Sequence, residues 1–436
     1  MSQKLFETTI QSITHDGRGV ALLNNKTTFV SGALPGEKVV CQMIRQHRRY
    51  NEAKVVEVIT PAPERVDPPC AHYGVCGGCS MQHIEIQAQI RFKQDALLNQ
   101  LKHIGKVEPQ EILPPMMGHP WGYRRKARLG VRYVIKKEKL LVGFREKFSN
   151  YLADIQECKV LHPSVGTQLL ALSTLIRSLS QYDHIPQIEI AVSDEVTALV
   201  IRHMTPLPET DLSALCQFGK DHNCHIYLQP GSPESVHKIW PKDEDLFLRY
   251  FLPDYQLEMQ FHPLDFTQVN SEMNREMIAQ AIRLLDLKSS DTVLDLFCGL
   301  GNFTLPIARF AKRVIGIEGS MQMVNRATFN AKHNQITNSE FYAANLMEPS
   351  ETAEWLKIPY DKILLDPPRT GAKEIIPLIA NKLASKIVYV SCNPATLARD
   401  AGELVHQYRY HLKQVGVINM FPHTSHIEAI ALFEKK

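Results

Sequence analysis

The 436-residue sequence has no uninterrupted apolar run near the ~18 residues of a membrane-spanning helix, which excludes a helical membrane protein. Its opening, Met1 to Ile10, alternates polar and apolar residues and has neither an apolar h-region nor a small-residue cleavage site. Export is therefore not expected, and the cytoplasm is the expected compartment. There is no internal repeat and no low-complexity stretch. Charge of one sign is also scarce: 49 Lys plus Arg face 46 Asp plus Glu, a formal net of +3 that does not announce a nucleic-acid partner by itself. Cysteines are few and odd in number, nine, and in a reducing compartment they act as ligands, nucleophiles or buried apolar groups rather than disulfides. At 44% hydrophobic and 22% charged the composition is that of a globular protein. At ~150 residues per domain its length suggests roughly three domains.

The chain divides accordingly. Residues 1–60 read as five short strands with turns at Asp16-Gly17, Asn24-Asn25 and Pro35-Gly36, the pattern of a small OB-like β-barrel. The loop Arg45 to Tyr50 between the last two strands is basic and carries an aromatic, as a nucleic-acid-binding face would. Prolines at 61, 63, 68 and 69 form a stiff linker into residues 61–262. A helix over Ile84 to Ile104 is expected there, with Ile86, Ile90, Leu97, Leu101 and Ile104 on one face and Gly105 as its stop. The rest of this segment mixes strands with helices at Ser164 to Leu179 and Thr210 to Phe218, an α+β pattern. In residues 263–436 helices and strands alternate regularly, the mark of a doubly wound α/β parallel sheet.

Val293 to Phe303 is a buried strand entering a turn with Gly299 and Gly301, and Glu318 ends the next strand, where a ribose-binding acid belongs. The dinucleotide pattern fails because Thr304 holds the third glycine position and Asp295 would repel a pyrophosphate. S-adenosylmethionine fits better: it has no phosphate, and its amino group and sulfonium suit an acidic turn. Asp366-Pro-Pro-Arg369 follows the apolar strand Lys362 to Leu365, which sets Asp366 in the ligand crevice. Similar motifs occur in enzymes that methylate bases.

Ile387 to Asp400 runs from a strand into a helix, with Asn393 as N-cap and Pro394 at the first helical position. Cys392 is thereby placed beside the positive helix end, where a thiolate is expected to be favoured. A thiolate adding to carbon 6 of a pyrimidine makes carbon 5 nucleophilic enough to accept a methyl group, and a base must then remove the carbon 5 proton. Glu428, opening the final strand, is the favoured base, with His423 and His426 as competitors.

Cys70, Cys76 and Cys79 supply three thiolates within ten residues, and Cys158 is the best candidate for a fourth. Four thiolates suit a structural zinc or an iron–sulfur cluster, and the uneven spacing, five residues then two with a pair of glycines, resembles cluster-binding loops more than paired zinc knuckles. Residues 121–147 hold ten Lys or Arg and two Glu, more net positive charge than the whole chain. At strand period Arg124, Lys126, Arg128, Arg132 and Lys136 share one face, and Ala127, Leu129, Val131, Tyr133 and Ile135 the other. The expected result is a solvent-facing basic ladder for a phosphate backbone.

These motifs, in this order over nearly the whole chain, resemble the bacterial TRAM-domain, iron–sulfur-containing RNA uracil-C5 methyltransferases, above all the branch acting on 23S ribosomal RNA. The resemblance implies a TRAM barrel at 1–60, a central iron–sulfur and RNA-binding domain at 61–262, and a class I methyltransferase domain at 263–436, with residues 90–120 packed on the last. It implies a 4Fe–4S cluster on Cys70, Cys76, Cys79 and Cys158, Cys392 as nucleophile and Glu428 as base. Gln268, Phe297, Asn302, Glu318, Asn345 and Asp366 would bind S-adenosylmethionine, and the expected partner is 23S rRNA, with no membrane. A self-contained site permits a monomer. The rival expectations are the same chemistry on the T-loop uridine of tRNA, and a non-catalytic RNA-binding protein that retains the fold.

Overall fold

The computed structural model describes residues 5–242, 245–382 and 384–435; the outermost residues of the first and last segments lie outside these. Among the described residues no helix is long and apolar enough to cross a membrane. The first segment folds as six strands rather than five, because the expected Phe6 to Ser12 strand breaks into Leu5–Thr9 and Ser12–Ile13. These two pieces form the opposite edges of the six-stranded sheet. One broken strand therefore serves both edges and curls the sheet into a barrel. Ile10, at the break, is buried with Ala21, Val30, Val39, Cys41 and Ala53. Asn24 and Asn25 both have positive φ, 51° and 58°, as a tight two-residue hairpin requires.

In the central segment a six-stranded sheet runs in the spatial order His237–Trp240, Cys224–Gln229, Thr197–Arg202, Gln187–Val192, Lys126–Val134 and Lys139–Gly143. The helix expected over Ser164 to Leu179 is two pieces, Pro163–Gly166 and Leu169–Ser178. Gly166 explains the break: a Cβ there would lie 2.4 Å from the Cys158 carbonyl oxygen, while its own carbonyl accepts from Cys158 N–H at 2.8 Å.

The last segment is built on an eight-stranded sheet that is mixed, not wholly parallel as expected. Ser339–Ala343, Arg313–Glu318, Thr292–Leu296, Lys362–Leu365 and Lys386–Ser391 are parallel neighbours in that order. Glu428–Lys435 then pairs antiparallel to Lys386–Ser391, and Tyr410–Ile418 pairs antiparallel to it in turn. The short strand Glu111–Ile112, nearly 300 residues upstream, completes that edge through Gln414↔Glu111 and Val415↔Ile112. Helix Ile86–Gln100 continues as a π-helical turn, Leu101–Gly105, and packs on helix Pro394–His406. Ile90, Leu97 and Leu101 are buried in one core with Leu397, Ala398 and Leu404. Ile104, expected on the same face, is 49% exposed, because the π turn rotates it away from the apolar stripe.

The two helices meet through glycine: a Cβ on Gly105 would stand 2.3 Å from the Ala398 carbonyl oxygen, and one on Gly402 would stand 2.7 Å from the Gly105 carbonyl oxygen. Gly105→Ala must therefore separate the helices, and a loss of about 1–3 kcal/mol is expected, measured as a lower midpoint in thermal or urea unfolding.

Candidate functional site

The reversed direction of the last strand decides the geometry. Because Ser391 pairs with Ala429, the residue leaving one strand, Cys392, and the residue entering its neighbour, Glu428, meet at the carboxyl edge of the parallel sheet. Asp366 leaves the next strand at that edge, where Leu365 pairs with Tyr389, and Glu318 ends a strand further along it. Asn393 caps the helix after Cys392, accepting from Ala395 N–H at 3.1 Å, with Pro394 behind it.

The helix end does not make Cys392 acidic, contrary to the expectation. Burial, together with the negative charges of Glu428 and Asp366, pushes its thiol up to about 11, against the opposing pull of Arg369. Glu428 is 4% exposed, and burial and Asp366 raise its carboxyl to about 8. Burial takes Asp366 to about 7, and burial with the charges of Asp366 and Glu318 takes Asp295 to about 7 despite a hydrogen bond from Thr304. The second oxygen of Asp295 is buried and has no hydrogen-bond partner among the described residues. The edge thus crowds carboxylates that hold one another's protons, an environment that a cation would relieve.

Phe297, Gly299 and Gly301 take positive φ of 65°, 55° and 93°, so the chain turns sharply after Leu296. Glu318 is locked by backbone N–H donors from Gly299 and Ser320, each at 3.1 Å. Asn302 exchanges amide hydrogen bonds of 2.8 and 3.0 Å with Asn274 and accepts from Tyr250 Oη at 2.9 Å. Asn345 is exposed past strand Ser339–Ala343, at the same edge, and Gln268 is half-buried on the loop before helix Ser271–Leu285. Of the competing bases, His423 is buried and stacked on Trp121, ring centroids 3.8 Å apart, while His426 is exposed and meets Arg369 at 3.1 Å. Sequence reading passed over Arg369 as a site residue although it completes the Asp366-Pro-Pro motif; its charge acts on both Cys392 and Glu428.

Cys70, Cys76, Cys79 and Cys158 line one cavity of about 240 Å³, walled by Phe144 and Ile155 and flanked by Arg124. Burial raises the thiol of Cys79 to about 12, and the other three cysteines add to that shift. Cys41 and Cys224 are buried in separate cores. Among the described residues no three His, Cys, Asp or Glu side chains are arranged for a single metal ion; the four thiols stand around a space instead.

Two family descriptions match the chain, TRAM domain over residues 4–56 and tRNA (Uracil-5-)-methyltransferase over residues 234–436. The 23S rRNA (uracil(1939)-C(5))-methyltransferase RlmD of Hahella chejuensis is 53% identical over 98% of this chain and 96% of its own. The protein of the same name from Francisella tularensis subsp. novicida is 49% identical over 100% of this chain and 98% of its own. The chain belongs to the RNA uracil-C5 methyltransferases. Its fold is shared by the tRNA (uracil-54, C5)-methyltransferase of Pyrococcus abyssi, solved with S-adenosyl-L-homocysteine, at a TM-score of 0.74 and 23% identity over 98% of this chain and 100% of that one.

In this methyltransferase the basic ladder is not the continuous solvent face expected. Lys126 turns inward, its Nζ donating to the carbonyls of Pro263 and Asp265 at 2.6 and 2.8 Å, and burial lowers it to about 8. Arg124 faces the cysteine cavity. Arg128 is exposed but pairs at 2.8 Å with Glu189, directly opposite on the neighbouring strand. Ile135, expected inside, is 80% exposed because the strand ends at Val134 and a 3₁₀ turn follows. Arg128, Arg132 and Lys136 nevertheless line one open groove with Tyr133 and Tyr151.

A thiol held up to about 11 is mostly protonated at neutral pH, so alkylation of Cys392 by iodoacetamide should be slow at pH 7 and rise with each unit of pH. Above pH 8, where Glu428 is charged, Glu428→Gln removes a repulsive charge and should accelerate that alkylation a few-fold, followed by peptide mass spectrometry.

Proposed function

We propose that this chain methylates carbon 5 of one uridine of 23S rRNA, working as a cytoplasmic monomer. The observation that carries the reading is the meeting of Cys392 and Glu428 across Ser391↔Ala429, at the edge where Asp366 and Glu318 also end their strands. Full-length identity near one half to proteins of that name supports the ribosomal substrate. In this reading the target base is flipped out of its stack, Cys392 gives its proton to solvent, which Arg369 favours, and its sulfur bonds to carbon 6 as the 5,6 double-bond pair moves onto carbon 5 and its carbonyl as an enolate. S-adenosylmethionine supplies the electrophilic methyl group. Carbon 5 would take that methyl, the donor leaving as its neutral thioether; Glu428 then takes the carbon 5 proton, and the electron pair left behind restores the double bond as the bond from carbon 6 to the Cys392 sulfur breaks. The turn at Phe297 to Gly301, with Glu318, Asn302, Asn345, Gln268 and Asp366, would hold the adenosyl donor. The Asp295 oxygen that has no partner among the described residues, and the crowded acids around it, suit its positive sulfur.

We assign the cysteine cavity to a 4Fe–4S cluster on Cys70, Cys76, Cys79 and Cys158. Such a cluster has a volume of its own, so its thiolates ring a space rather than converge on one ion. We assign the groove of Arg128, Arg132 and Lys136 to the RNA backbone, with Arg124 beside the cluster; Lys126 is left to hold the central sheet to residues 263–265.

With 23S and tRNA transcripts offered in parallel, methyl transfer is expected only to the ribosomal RNA; labelling of tRNA alone would reassign the substrate. Cys392→Ala should abolish transfer, and RNA carrying 5-fluorouridine should trap a covalent complex, since fluorine cannot leave as a proton. Both the thiol and the base act deprotonated and both are held above their ordinary values, so kcat/KM should climb as pH rises through about 8. Anaerobically purified protein should contain four irons per chain, and zinc in their place would overturn the cluster assignment.

A further inference from the structure

Glu428 is the last rung of the hairpin that joins Tyr410–Ile418 to Glu428–Lys435, because it pairs with Ile418. The connecting turn, Asn419 to Ile427, contains no regular element, and His423 within it stands at φ 65°, a conformation unfavourable for a side-chain-bearing residue. Something outside the hairpin must fix this turn, and helix Ile86–Gln100 does so, alongside single hydrogen bonds with Met116, Tyr123 and Asn270. Lys93, 2% exposed, donates from Nζ to the Phe421 carbonyl at 2.9 Å and to Asn419 Oδ1 at 3.3 Å. Gln89, fully buried, accepts from the His423 N–H at 2.9 Å and places its amide nitrogen 3.2 Å from His423 Nδ1. From the cysteine loop, Ser80 and Met81 N–H both donate to the His423 carbonyl, at 2.9 and 3.0 Å.

A buried ammonium and a buried amide are costly to place in a core, and here both are used on one backbone turn of five residues. Burying Leu97 and Leu101 would hold the helix on the domain without them. We propose that Gln89 and Lys93 are positioning residues for Glu428: they fix the Asn419–His423 turn so that the carboxylate faces carbon 5 of the adduct on Cys392. The inference rests on the reading of Glu428 as the base. The step it governs is the transfer of the carbon 5 proton to that carboxylate, with release of the sulfur as thiolate.

If that step is impaired after methyl transfer, a methylated, denaturation-stable enzyme–RNA complex accumulates. A general loss of structure would instead slow every step and accumulate nothing. With ordinary uridine RNA and labelled methyl donor, Glu428→Gln should accumulate the labelled complex on denaturing gels. Lys93→Met and Gln89→Leu should form it at the parent rate and release it about tenfold more slowly. No complex with Glu428→Gln overturns the base reading and this inference together. A complex there, but parent release rates or a uniform slowing without a complex in the helix variants, overturns the positioning role alone. Folding is checked by circular dichroism; if Lys93→Met does not fold, Gln89→Leu decides, and if neither folds the pair holds the fold rather than the base and the inference falls.

Discussion

One reversed strand governs this molecule. In a wholly parallel sheet every strand would leave the ligand edge through a loop of its own, and two chemically partnered side chains would have to come from two independent turns. Inserting Glu428–Lys435 antiparallel beside Lys386–Ser391 makes one residue exit where the other enters, so backbone pairing itself sets nucleophile against carboxylate. Ladder hydrogen bonds are short and directional, so the two backbones are as rigidly placed as the sheet, while the turn entering Glu428 is held from helix Ile86–Gln100.

The same closeness sets the resting electrostatics. A thiol and several carboxyls that share a dry edge cannot all ionise, so each keeps its proton longer than it would in water. The resting site is thus chemically quiet, and a cationic donor and Arg369 both tilt it toward the charged forms. Arg369 is itself held in place: its carbonyl accepts from Asn393 Nδ2 at 2.9 Å, on the helix that follows Cys392.

Much of this was legible in the residues. Buried strands ending in Gly299, Asp366 and Cys392 announce an α/β ligand edge because the strand, its end and the next helix are all local features. What failed was what depends on distant partners. The helix that follows Cys392 is visible in its own segment, whereas Glu428 and Asp366, which oppose a thiolate there, come from other strands. Lys126 has the spacing of a solvent-facing ladder, yet its acceptors at Pro263 and Asp265 come from 137 and 139 residues downstream. The Ser164 to Leu179 helix has continuous periodicity, and its break is imposed by the Cys158 backbone against Gly166. The first barrel strand looks whole in the sequence because nothing in Phe6 to Ser12 shows that its halves serve opposite edges.

The hydrogen bonds between Gln89 and His423 span 334 positions in the chain, and strand Glu111–Ile112 joins its sheet across a comparable gap. At ~5–20 residues per second on the ribosome, the early helix emerges roughly 15–70 s before the turn it grips. Until the strands from Thr292 onward and helix Pro394–His406 have emerged, Leu97 and Leu101 have no core to enter, and the helix must be shielded or idle. Synthesis as far as helix Pro394–His406 is therefore a precondition for covering this helix, and a polypeptide truncated before it would leave an apolar face unpaired and exposed to aggregation.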